Sequence, residues 1–166
     1  MKLYYAPQAC SLAPHIVLRE LDLPFELIRV DNRSKTTAHG ADFLVINPKG
    51  YVAALQLDNA QVLTEGPAIV QYLADLAPEK QLAPANGSVA RYQLQAWLTF
   101  IGTEVHKSFS PFFNPKAPQE WKDIARKVGR HTGQHRDIGC HKLVKLSFCR
   151  RSHRDTGRDK SNDSIS

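Results

Sequence analysis

The chain has 166 residues, 42% of them hydrophobic, which suits one sizeable domain or two small ones with a packed core. Its net charge of +6 is confined to one end: residues 127–166 hold ten of the 22 Lys and Arg and four of the 16 acidic residues, so residues 1–126 are neutral and offer no basic nucleic-acid surface. Three cysteines without metal-ligand spacing, no apolar run of 18 residues and no secretory pattern at Met1-Lys2-Leu3-Tyr4-Tyr5 argue against a disulfide framework, a zinc site and a membrane span, and predict a cytoplasmic protein.

Residues 2–6 are strand formers, and Pro7 breaks the run. Apolar residues at 12, 13, 16, 17 and 21 then mark one face of a helix over 10–21. Pro14 falls in its first turn, where a missing N–H costs no bond, and Pro24 follows it. Residues 25–30 alternate as a second strand, and a strand-helix-strand unit predicts parallel pairing. Residues 32–46 read as a short helix or a long loop leading to the turn Asn47-Pro48-Lys49-Gly50. Strands at 52–57 and 61–63, separated by Asp58-Asn59-Ala60, predict a hairpin. Thr64-Glu65-Gly66-Pro67 opens a helix with Ile69, Tyr72, Leu73 and Leu76 on one side. The order over 1–77 is βαβαββα, an α/β domain.

Two prolines and a closing Asn-Gly mark 78–86 as a linker. From 87 to 126 an all-helical domain begins: Leu94, Trp97, Leu98, Ile101, Val105 and Phe109 predict one long amphipathic helix, Pro111 and Pro115 end it, and Pro118-Gln119-Glu120 starts another. From Lys127 on there are four His, six Arg, two Cys and no Glu, and only Leu143, Val144, Leu146 and Phe148 cluster. That composition is expected of an out-of-frame translation or a disordered stretch, with a genuine basic tail as the alternative. His131, His135, Cys140, His141, Cys149 and His153 fit no tight zinc pattern.

Cys10 lies where the first strand hands over to the first helix, so its sulfur can face unpaired N–H groups and the positive end of the helix dipole. A thiol there can exchange with a disulfide or accept a hydrogen bond, although a lone cysteine is also commonly a small core residue, and position alone does not decide. The surrounding string Tyr5-Ala6-Pro7-Gln8-Ala9-Cys10-Ser11-Leu12-Ala13-Pro14-His15 resembles the opening of bacterial beta-class glutathione transferases. So do Asn47-Pro48-Lys49-Gly50-Tyr51-Val52-Ala53-Ala54-Leu55, the run from Leu63 to Leu73, Trp97-Leu98 and Thr103-Glu104-Val105-His106-Lys107. The resemblance covers residues 1 to about 126 without gaps.

It implies a thioredoxin-like N-terminal domain that binds glutathione and an all-α domain that accepts a small hydrophobic electrophile, in a homodimer, with glutathione as co-substrate and no further cofactor. It implies that Cys10 lies beside the glutathione sulfur, with Ser11 and Tyr5 as donors to that sulfur. Glu65 and Gly66 would take the ammonium and carboxylate of the γ-glutamyl group, although Glu65 also reads as an ordinary first-turn acid. Val52 would pair its backbone with the tripeptide as an added strand, and Lys35 would meet the glycine carboxylate. His106 and Lys107 would touch the sulfur or the glycyl end, and Glu104 a neighbouring subunit's glutathione.

Two features depart from the family: Ala53 stands where its members carry a cis-proline, and nothing after Lys127 supplies further helices, which would leave Trp97, Leu98 and Ile101 wet. Conjugation of glutathione to electrophiles is the leading function. A monothiol glutaredoxin-like exchange is open, since position 13 is Ala13 rather than a second cysteine, as is an inactive or glutathione-binding fragment.

Overall fold

The structure is a computed structural model and describes residues 1–134. The described chain divides into two compact units, the first Met1–Thr103 and the second from Glu104.

In the first unit, β1 (Lys2–Tyr5), α1 (Leu12–Glu20) and β2 (Glu26–Arg29) form the expected parallel unit, with Leu3 opposite Leu27. A short helix α2 (Phe43–Ile46) follows, capped by Asp42, whose carboxylate accepts the Leu44 N–H at 2.8 Å. The strands β3 (Ala54–Gln56) and β4 (Val62–Thr64) make the hairpin, and α3 (Gly66–Leu76) closes the order βαβαββα. The sheet runs β2-β1-β3-β4, with β3 antiparallel to both its neighbours.

Period-two alternation gives the sheet two apolar faces. Leu3 and Leu55 face α1 and α3 and pack with Leu18, Ile69 and Leu73. Tyr4, Ile28 and Ala54 point the other way and pack with Phe43 of α2. Both faces are covered by elements of residues 1–77, so the surface that carries Cys10 and Val52 stands on its own core.

The stretch 78–86 holds a 3₁₀ turn, Pro78–Lys80, and lies inside the first unit. Arg91, 3% exposed, ties it down from α4 (Val89–Phe100). Its guanidinium donates two bonds to Asp75 of α3 (2.8 and 2.7 Å) and one to the Pro84 carbonyl (3.0 Å). The paired guanidinium holds the Asp75 carboxyl below the usual carboxylate range.

The single long helix expected through Phe109 is interrupted. α4 ends at Phe100, a π-helical stretch Ile101–His106 follows, and a short helix α5 (Ser110–Phe113) comes after it. The apolar steps of four at Ile101, Val105 and Phe109 suit a widened turn as well as an α-helical one. Trp97, Leu98 and Ile101 are half-buried rather than wet.

In the second unit, α6 (Gln119–Gln134) runs eight residues past the boundary expected at 126. Trp121, Ile124, Ala125 and Val128 recur at helical spacing and, with Lys107, Ser108 and Pro111, line a groove of about 260 Å³. The rest of the expected basic tail, with its histidines and cysteines from His135 on, lies outside the described residues. No described helix is long and apolar enough to cross a membrane.

Candidate functional site

The site is built on the turn between α2 and β3. Buried Asn47 accepts the Lys49 N–H on its side-chain oxygen (3.2 Å), donates its amide to the Tyr51 carbonyl (2.7 Å) and accepts the Gly50 N–H on its backbone (2.8 Å). Gly50 sits at φ +68°, where a Cβ would come within 3.1 Å of the Leu44 side chain, so any larger residue would be strained and would crowd Leu44. The turn delivers Val52 to the end of β3 through a cis Val52–Ala53 peptide, so alanine occupies the position of the expected proline with the same bond isomer.

Cys10 is a free, exposed thiol, and its Sγ–H donates to the Val52 carbonyl oxygen at 3.3 Å. The expected sulfur nucleophile and the expected backbone pairing edge, 42 residues apart in sequence, are therefore in contact. Ser11 is oriented differently from the expectation. It is buried, its Oγ accepts the Ala6 N–H and donates to the Ala6 carbonyl, both at 3.2 Å, and its only proton is committed to closing the β1–α1 turn. Tyr5 is half-buried, its ring 6.5 Å from that of His15.

Lys35 points into the same turn. Its ammonium donates to the Gly50 carbonyl at 2.8 Å and lies 5.7 Å from the Tyr51 ring centroid, so one of its three N–H groups supports the loop and two remain for a ligand. Asp31 fixes the backbone before it, accepting the Arg33 and Ser34 N–H groups at 2.7 and 2.9 Å, and these bonds hold its carboxyl below the usual range.

Glu65 caps α3 with a positive φ of 69°, and Gly66 and Pro67 are the first helical residues. Its exposed carboxylate accepts from the Lys49 ammonium at 3.0 Å. Lys49 was not singled out by sequence reasoning; the signal was there as a cation in a turn that precedes a hairpin leading back to an acid. Glu104, His106 and Lys107 are exposed residues of the second unit, the first two on the π-helical stretch and Lys107 among the residues that line its apolar groove.

Residues 9–76 match the family model described as the glutathione S-transferase N-terminal domain. The chain is 50% identical over 126 residues to glutathione S-transferase GstA of Escherichia coli O157:H7, and it spans 63% of that relative's length and 76% of its own. Among solved structures, a ternary complex of BphK, a bacterial GST, shares 62% identity at a TM-score of 0.79 over 81% of this chain and 68% of that one. A sphingomonad glutathione S-transferase complexed with glutathione shares 48% identity at a TM-score of 0.78 over 80% of this chain and 66% of that one. With its thioredoxin-like sheet and with Cys10 against the Val52 carbonyl, the chain belongs to the glutathione S-transferase family.

Proposed function

We propose that this chain binds reduced glutathione and transfers it to small hydrophobic electrophiles, as a bacterial beta-class glutathione transferase. The observation that carries the reading is the contact between the Cys10 thiol and the Val52 carbonyl. It joins a sulfur-handling group to a backbone edge on which an extended peptide can pair as an added strand. The sphingomonad structure holds glutathione on a fold that aligns with this one.

In this reading Val52 holds the cysteinyl backbone, Glu65 and Gly66 hold the γ-glutamyl end, and the free N–H groups of Lys35 hold the glycine carboxylate. Once the bound thiol gives up its proton, its sulfur attacks the electrophilic carbon and the leaving group departs with the electron pair; proximity is most of the catalysis. Tyr5, His106 and Lys107 are proposed partners of the sulfur and the glycyl end, and Glu104 a contact to a second subunit's glutathione in a homodimer. Ser11 serves the site by shaping the turn beneath Cys10. The chemistry needs reduced glutathione, which the cytosol maintains, and that is the proposed compartment.

The exposed thiol favours a second activity at the same place. The Cys10 thiolate can attack a glutathione mixed disulfide, forming a Cys10–glutathione disulfide and releasing the other thiol. Calorimetric titration with reduced glutathione, run beside Cys10→Ala, tests the main reading. Saturable binding by both chains is expected, with loss of disulfide exchange confined to the variant. No heat at millimolar glutathione from folded protein overturns it and leaves an inactive relative.

A further inference from the structure

The start of α3 is short of hydrogen-bond donors. A helix N-terminus normally offers several free N–H groups to an anion. Here Pro67 has no N–H, and the Ala68 and Ile69 N–H groups already donate to the Glu65 carbonyl at 3.0 Å. Gly66 has no side chain to add a hydroxyl. The Gly66 N–H is the donor this turn has left, whereas a carboxylate presents two oxygens with about four acceptor positions.

Lys49 stands at this gap. Its backbone is fixed by Asn47 (3.2 Å), and its ammonium lies 3.0 Å from Glu65 Oε1 and 3.5 Å from Thr64 Oγ1 at the mouth of the helix. Lys49 and Glu65 are 58% and 68% exposed, so both are open to a ligand, and an ion pair this wet is too weak to explain as a stability device. A cation and an anion side by side complement a zwitterion, and the γ-glutamyl group carries its ammonium and carboxylate on one carbon.

We propose that Lys49 is a specificity-determining residue: its ammonium takes the α-carboxylate of the γ-glutamyl group while Glu65 takes the α-ammonium. The two side chains form a zwitterion clamp that supplies the donor Pro67 lacks. This rests on the glutathione reading above. It adds a residue to the site and a reason for the site to prefer a free α-amino acid over either charge alone.

The test pairs Lys49→Met and Lys49→Arg with three ligands measured by calorimetry: glutathione; glutaryl-cysteinylglycine, which keeps the carboxylate and lacks the ammonium; and 4-aminobutanoyl-cysteinylglycine, which keeps the ammonium and lacks the carboxylate. Lys49→Met is expected to weaken the first two about three- to tenfold and leave the third unchanged, with Lys49→Arg retaining most of the affinity. Equal loss for all three ligands, no loss, or tighter binding through release of Glu65 overturns the role of Lys49. Failure of the unaltered chain to bind any of the three removes the glutathione reading and this one with it, so the two failures are told apart.

Discussion

The two units bury their apolar residues differently. In the first, Leu3, Leu18, Leu55, Ile69 and Leu73 are fully buried between the sheet and two helices, with Phe43 closing the opposite face. In the second, the buried apolar residues among those described are Ala117 and Ala125, while Trp121 and Ile124 are 59% exposed on α6 and Phe113 is 77% exposed. Both use amphipathic periodicity, yet it leads to a packed interior only in the first, where strands and helices supply facing surfaces within residues 1–77. A site built on the first unit is held by side chains that have no other place to go. The groove of the second is lined by side chains that keep much of their surface in water.

A matched substitution sharpens this contrast. Ile69→Ala in α3 removes a side chain with no exposed surface at the centre of the core, and a loss of about 3–4 kcal/mol is expected from transfer and cavity terms together. Urea unfolding followed by fluorescence measures it. A loss below about 1 kcal/mol would mean that the first unit is no better packed than the second.

The Arg91–Asp75 pair probes how 78–86 is held inside the first unit. Asp75→Asn keeps the shape but leaves the buried guanidinium without its counter-ion. A fully buried pair broken this way costs about 3–5 kcal/mol, and because the Asp75 side chain is 37% exposed a loss of about 2–3 is expected. The pH dependence has a definite sign. The Asp75 carboxyl is lowered in the folded chain, so the pair contributes stability above the unfolded carboxylate value of about 4 and loses it as pH falls through the lower folded value. Stability measured from about pH 5 downward should fall more steeply for the unaltered chain than for Asp75→Asn; parallel curves would remove Asp75 as a contributor.

How far the sequence reached follows the same divide. Over most of 1–77 the elements carried two independent cues, such as period-two alternation beside Pro24, or Glu65-Gly66-Pro67 ahead of the Ile69–Leu73 face, and local and tertiary demands agree there; the short helix α2 in 32–46 is the exception, open between helix and loop in the sequence. Beyond 87 the cues were helical spacing and the prolines at 111, 115 and 118. Spacing does not separate an α-turn from a π-turn, which hid the break at Ile101, and the basic composition after Lys127 masked the continuing face at Val128. Of the proposed site residues, Cys10, Val52 and Glu65 were singled out from motif and helix start, and the structure brings Cys10 against Val52. The commitment of Ser11 to Ala6 and the Lys49–Glu65 pair were not legible, because both depend on where a turn aims a side chain.

Ile124→Ala is the smallest effect and the strictest comparison, being the same change in chemistry as Ile69→Ala on an exposed helix face. With 59% of Ile124 exposed, less than half of the roughly 1.5–3 kcal/mol of a fully buried side chain is at stake. Alanine, the better helix former, returns part of it, and a net change within about 0.5–1 kcal/mol is expected. The chain has two tryptophans, Trp97 in α4 and Trp121 in α6, so a Trp97→Phe background reports the second unit through Trp121 fluorescence. A loss as large as that of Ile69→Ala would show that the α6 groove is packed in solution, and the contrast between the two units would then lie in their site residues rather than in their cores.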